Sequence, residues 1–65
     1  MSRLTSSDLP LLRHFDQVLE GMIEHANRIK RESNNAGELL AVATVIDKLQ
    51  SDRESAQRSI RKLSQ

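Results

Sequence analysis

The chain has 65 residues, enough for one small domain but too few for a large self-sufficient core. Ten basic and nine acidic residues give a net charge of +1, so the total charge predicts neither strong attraction to nucleic acid nor acidic repulsion. Cysteine is absent, no apolar run approaches the roughly 20 residues of a membrane span, and residues 1–10 lack the apolar centre of a secretory signal, so we expect a cytoplasmic protein.

The first segment carries the signals of a helix start. Three hydroxyl side chains of the kind that cap helix N-termini come first: Thr5, Ser6 and Ser7. Pro10 suits a first helical turn, where backbone N–H groups lack partners within the helix. Basic residues gather near the other end, where they favour the negative pole of the helix dipole. We therefore predict a first helix over residues 7–33.

Apolar residues in both halves recur at alternating spacings of three and four, which place them on one stripe of a helix. In the first half they are Leu12, Phe15, Leu19, Met22, Ala26 and Ile29. In the second half they are Leu39, Val42, Ile46, Leu49, Ala56, Ile60 and Leu63, with Arg53 as a polar member. Each stripe predicts an amphipathic helix with a coiled-coil-like seam.

The segment between the stripes, residues 33–37, is rich in residues that favour turns and caps, and Asn35 with Glu38 resembles a capping box. We predict a turn at 34–35 and a second helix over 36–63. Opposed residues of an antiparallel hairpin then have numbers that sum to 68, as for Leu19 with Leu49, and every rung of the seams obeys this rule. The sequence therefore predicts an all-α, antiparallel two-helix hairpin. The alternative is one unbroken helix.

A second apolar set lies outside the seam and widens each stripe beyond what one partner helix can cover. Its candidate interface residues are Leu11, Val18, Ile23, Leu40 and Val45. One explanation is a homodimer that forms a four-helix bundle, and the other is a groove that receives a helix from a different protein. Both predict a protein–protein interaction module, such as a small adaptor, regulator or chaperone-like subunit.

Arg53 interrupts the second seam, opposite Phe15 and next to Asp16 in the predicted pairing. Its aliphatic stem can cover the aromatic ring while the guanidinium reaches the carboxylate or solvent. We therefore treat Arg53 and Asp16 as a candidate pair that fixes the register of the hairpin. A contact from Arg53 to an acidic residue of another protein is the alternative.

Three basic residues near the turn, Arg28, Lys30 and Arg31, suggest an alternative function in binding RNA or DNA. The second basic group, which includes Arg58, lies at the opposite end of the hairpin. The two groups can therefore meet only in a dimer whose turns point in opposite directions.

Asp16, Glu20 and Glu24 form an acidic row near His14 and His25, but this pattern does not predict a metal site. His25 is rotated by about 100° from Glu24 on an ideal helix, so the two side chains do not share a face. No nucleophile motif or phosphate-binding glycine loop is present, and two helices offer no enclosed pocket. We expect no cofactor, no metal and no enzymatic activity.

Overall fold

The computed structural model describes residues 4–64, which form two long helices joined by a short turn. α1 spans Leu9–Glu32 and α2 spans Ala36–Ser64, and a 3-10 turn, Ser6–Asp8, precedes α1. The two helices pack against each other along their length. This arrangement confirms the predicted all-α hairpin and rules out one unbroken helix.

The N-terminus of α1 begins later than residue 7 because a separate turn comes first. The backbone N–H of Thr5 donates to Asp8 Oδ2 at 2.8 Å, and the N–H of Asp8 donates to the carbonyl oxygen of Thr5 at 2.9 Å. These reciprocal bonds close the 3-10 turn. Pro10 then lies in the first turn of α1, where its missing N–H costs no helical hydrogen bond.

The connection between the helices is built from side-chain hydrogen bonds. Ser33 takes an extended backbone conformation, which ends α1 at Glu32 and makes a three-residue turn instead of the predicted two. Asn35 Oδ1 accepts the N–H of Glu38 at 3.0 Å and so caps α2. The Glu38 carboxylate accepts the hydroxyl of Ser33 at 2.8 Å, and the N–H of Asn35 donates to that hydroxyl oxygen at 3.3 Å. The Glu38 carboxylate is therefore linked to the N–H of Asn35 through the Ser33 hydroxyl, instead of accepting that N–H directly as in a standard capping box.

Gly37 leaves room for this cap. A Cβ atom at position 37 would lie 3.1 Å from Asn35 Oδ1, closer than ordinary van der Waals contact. The glycine therefore allows the asparagine side chain to fold back over the start of α2.

The core is a narrow line between the two helices. Its buried residues are Leu19, Ala26, Ile46, Leu49 and Ala56, all of them members of the predicted seams. Three other seam members remain exposed: Phe15 by 45%, Met22 by 48% and Ile29 by 40%. These three side chains therefore lie at the edge of the contact between the helices, a position that the predicted seam does not distinguish from its centre.

The described hairpin measures 45 × 20 × 15 Å. An α-helix with its side chains is about 10–12 Å across, so the molecule is one helix thick. Both broad faces of the hairpin are consequently open, and their chemistry differs.

Candidate interaction surface

An apolar groove runs between the helices in the half of the hairpin nearest the turn. α1 contributes Val18, Gly21, Met22, His25, Ala26 and Ile29, and α2 contributes Ala41, Val42, Val45 and Leu49. Only His25 among these residues has a titratable side chain. The groove therefore offers almost no hydrogen-bonding groups and suits an apolar occupant.

A second depression continues the same side of the hairpin toward the chain termini. It is lined by Leu12, Phe15, Asp52, Ser55, Ala56 and Ser59. Val45, Asp52 and Ser59 are spaced by seven residues, or two helical turns, and therefore share one face of α2. We call this whole side of the hairpin the groove face.

The polarity of the groove face differs between its two helices. On α1 it is apolar except for His25, from Leu11 through Phe15 to Ile29. On α2 it is apolar near the turn and then polar from Lys48 onward, where Lys48 Nζ pairs with Asp52 Oδ1 at 2.9 Å. α1 therefore supplies most of the exposed apolar surface.

The opposite face carries ion pairs that link the two helices. Arg53 Nε donates to Asp16 Oδ1 at 3.0 Å, and another guanidinium nitrogen of Arg53 donates to Glu20 Oε2 at 3.3 Å. The Asp16 side chain is 20% exposed and the Arg53 side chain 32%, so this pair is partly shielded from water. Glu20 was not part of the predicted register pair, although its i, i+4 spacing from Asp16 in the acidic row indicated that both carboxylates share one face.

Exposed large apolar side chains are concentrated on the groove face. Among the described residues there are eight, and six of them lie on this face: Leu11, Phe15, Val18, Met22, Ile29 and Val45. The other two are Leu4, which precedes the 3-10 turn, and Leu40, on the outer side of α2. An apolar surface that is continuous on one side and replaced by charge on the other is typical of a protein-binding face.

The structure brings together some of the five predicted interface residues and separates others. Val18 and Val45 line the groove from opposite sides, and Leu11 lies two turns before Val18 on the same edge of α1. Ile23 instead lies beside Arg53 on the charged face, and Leu40 is 71% exposed on the outer side of α2. Five residues turn a helix by about 140° beyond a full rotation, which carries Ile23 away from Val18 and Leu40 away from Val45.

Phe15, Met22 and Ile29 belong to the predicted seam, but in the structure they also line the groove face. A detectable signal was present, because they alternate with Leu11, Val18 and His25 at spacings of four and three. This second stripe runs beside the buried one along the whole of α1.

Comparisons with protein-family models, curated proteins and solved structures found no match.

The basic residues that suggest nucleic-acid binding do not form a single patch. Arg28, Lys30 and Arg31 are exposed. Arg28 and Arg31 share one face of α1 at i, i+3 spacing, whereas Lys30 is rotated by about 100° from Arg31 and about 160° from Arg28, so the three do not form one patch. Within residues 4–64, no three acidic or histidine side chains converge at distances suited to a metal ion. Over the same range, neither helix combines the length and apolar composition that crossing a membrane requires.

Proposed function

We propose that this chain is a non-enzymatic protein–protein interaction module whose groove face docks a second copy of the same chain. The complex would be a four-helix bundle made of two hairpins. The observation that carries this proposal is the concentration of exposed apolar side chains on one broad face. A hairpin with such a face is half of a bundle core.

The exposed surface area of the hairpin is large enough to accommodate a second hairpin. The hairpin exposes 5178 Å², roughly 1,000 Å² more than the ~4,200 Å² expected for a compact monomer of its mass. A standard protein–protein interface covers about 800 Å² on each partner. Docking one further hairpin would therefore bring the exposed area close to that of an ordinary small protein.

Stability gives a second argument. Within residues 4–64, only three large side chains are buried in the isolated hairpin: Leu19, Ile46 and Leu49. Chains of this size usually need a supplement to a core this small, and this one has no cysteine for a disulfide. Association through the groove face supplies that supplement, because it buries the apolar residues that the hairpin leaves exposed.

The charged face indicates which side of the hairpin the second copy covers. Arg53, Asp16 and Glu20 satisfy one another within a single hairpin, so burying them against a partner would bring a desolvation cost without new pairing. The groove face carries one such pair, Lys48 with Asp52, and α1 contributes no carboxylate, lysine or arginine to it. We therefore assign the docked copy to the groove face.

The experiment compares charged substitutions on and off the groove face. The wild-type protein should have twice its 7.4 kDa chain mass by light scattering. Val18→Glu and Val45→Glu place a carboxylate in the groove, so we expect each to halve the mass or to lower the helical circular dichroism signal. Leu40→Glu is the matched control, because Leu40 is 71% exposed on the outer side of α2 and its substitution should change neither measurement.

Two results would overturn this assignment. A wild-type protein that stays monomeric while binding an added amphipathic helix would transfer the groove to a different partner. Groove variants that remain folded with an unchanged mass would show that this face is not the interface.

A further inference from the structure

We infer that the two copies dock with α1 packed antiparallel on α1 of the second copy, so that their turns lie at opposite ends of the bundle. This inference rests on the proposed self-association and specifies its geometry. It follows from the unequal polarity of the two helices on the groove face.

The groove-face stripe of α1 is complementary to itself when reversed. Its members, spaced by four and three residues alternately, are Leu11, Phe15, Val18, Met22, His25 and Ile29. Read in the opposite direction, the same stripe places Leu11 against Ile29 of the second copy and Val18 against Met22 of the second copy. Phe15 then meets His25 of the second copy, which sets an aromatic ring against an imidazole. Apart from the contacts of His25, apolar side chains thus face apolar side chains over about five turns of helix.

The corresponding stripe of α2 has a different character. Its members are Ala41, Val45, Lys48, Asp52, Ser55 and Ser59. When α1 packs on α1, the twofold axis also stacks α2 on α2 of the second copy. On rungs whose numbers sum to 68, residue 20 of α1 lies level with Lys48 of α2, so the axis crosses α2 near Lys48 and the Lys48–Asp52 pairs of the two copies lie side by side. Near the axis, the charged side chains of this stripe therefore face charged side chains of the second copy, whereas Ala41 and Val45 face the polar end of the second copy's stripe.

The other face-to-face arrangement places α1 on α2 of the second copy, with both turns at the same end. The ion pair between Asp16 and Arg53 fixes which residues of the two helices lie at the same level. At those levels, Val18 would face Asp52 of the second copy and Phe15 would face Ser55 of the second copy. Each such contact buries a polar side chain against an apolar one without a hydrogen-bond partner. The residues therefore favour the arrangement with opposite turns.

The two arrangements differ most in the separation between the turns. In the inferred geometry the twofold axis crosses α1 near residue 20, so that Asn34 of each copy lies 14 residues from it. At 1.5 Å per residue, the two Asn34 residues are separated by about 42 Å along the bundle. With both turns at one end, the same two residues would be separated only by the width of the bundle, about 20 Å.

A spin-label experiment tests this difference in the intact protein. Because the chain has no cysteine, Asn34→Cys gives one nitroxide site per copy, and pulsed electron resonance then measures the distance between copies. Gln17→Cys is the control, because residue 17 lies near the centre of the bundle in both arrangements and should give a short distance in either. We expect a distance of about 40 Å from position 34 and a short one from position 17.

The outcomes separate this inference from the proposal on which it rests. A short distance from both positions would overturn the antiparallel docking of α1 on α1 while leaving self-association in place. The absence of any distance between copies at position 17, together with a monomeric mass, would overturn self-association itself, and the geometry with it.

Discussion

Arg53 shows how one polar residue within an apolar stripe can select a single pairing. A seam with a three-and-four spacing tolerates shifts by a whole heptad, because apolar side chains pack against many apolar neighbours. The guanidinium of Arg53, in contrast, contacts Asp16 and Glu20 at one level of α1 only. Partly exposed ion pairs contribute about 0–1 kcal/mol each, so their effect is greater on the choice of register than on stability.

Arg53→Leu tests this role. We expect the free energy of unfolding to stay within about 1 kcal/mol of wild type, because burial of a leucine offsets the lost ion pairs. We also expect more than one set of backbone amide signals in NMR spectra, from hairpins in shifted registers. Arg58→Leu is the control, because the Arg58 guanidinium bonds Ser55 within α2. A more stable protein of unchanged mass with one set of signals would exclude a register role.

At the scale of elements, the sequence predicts the turn and the two helices, but it does not predict how each helix is rotated about its own axis. The start of α2 is set by hydrogen bonds between residues close in sequence, since Asn35 caps it and Glu38 binds Ser33. Whether Phe15, Met22 and Ile29 face the other helix or the groove is not decided by the neighbouring sequence. It depends on which edge of a wide apolar stripe the neighbouring helix covers. Contacts such as the one between Asp16 and Arg53 help to set that rotation, and they exist only after the helices have packed.

Substitution of Asn35 tests how much this side-chain cap contributes to the stability of the hairpin. Asn35→Ala removes the acceptor for the Glu38 N–H, and we expect a loss of about 1 kcal/mol in the free energy of unfolding, measured by urea denaturation. Asn35→Asp retains the acceptor and adds a negative charge at the positive end of the α2 dipole, so it should match or exceed wild-type stability. Equal losses in both variants would show that the side-chain cap does not stabilise the turn.

At the scale of the whole molecule, the hairpin separates two chemistries onto its two broad faces. The charged face contains cross-helix ion pairs that are complete within one copy, whereas the groove face exposes apolar side chains along α1. Self-association through the groove face would leave the charged faces in water on both sides of a bundle. The proposed dimer therefore presents mixed charge outward, as expected for a net charge of +1 per chain.

The inferred docking also bears on the alternative function in binding nucleic acid. With opposite turns, Arg28 and Arg31 of one copy approach the end of the bundle that carries Arg58 and Lys62 of the other. These groups are accompanied by acidic residues, including Glu38 beside the turn. Because the acidic residues reduce the local positive potential, we expect no continuous basic surface able to neutralise many phosphates.

Retention on a polyanion column tests this expectation. Each phosphate contact that a protein makes steepens the salt dependence of its binding, so a bundle with few such contacts should elute early in a salt gradient, below roughly 0.2 M. A triple variant, Arg28→Gln with Lys30→Gln and Arg31→Gln, should keep the mass of the wild-type protein, because none of these residues lines the groove. Strong retention of the wild type that the triple variant abolishes would instead make nucleic-acid binding through the turn the better account of this chain.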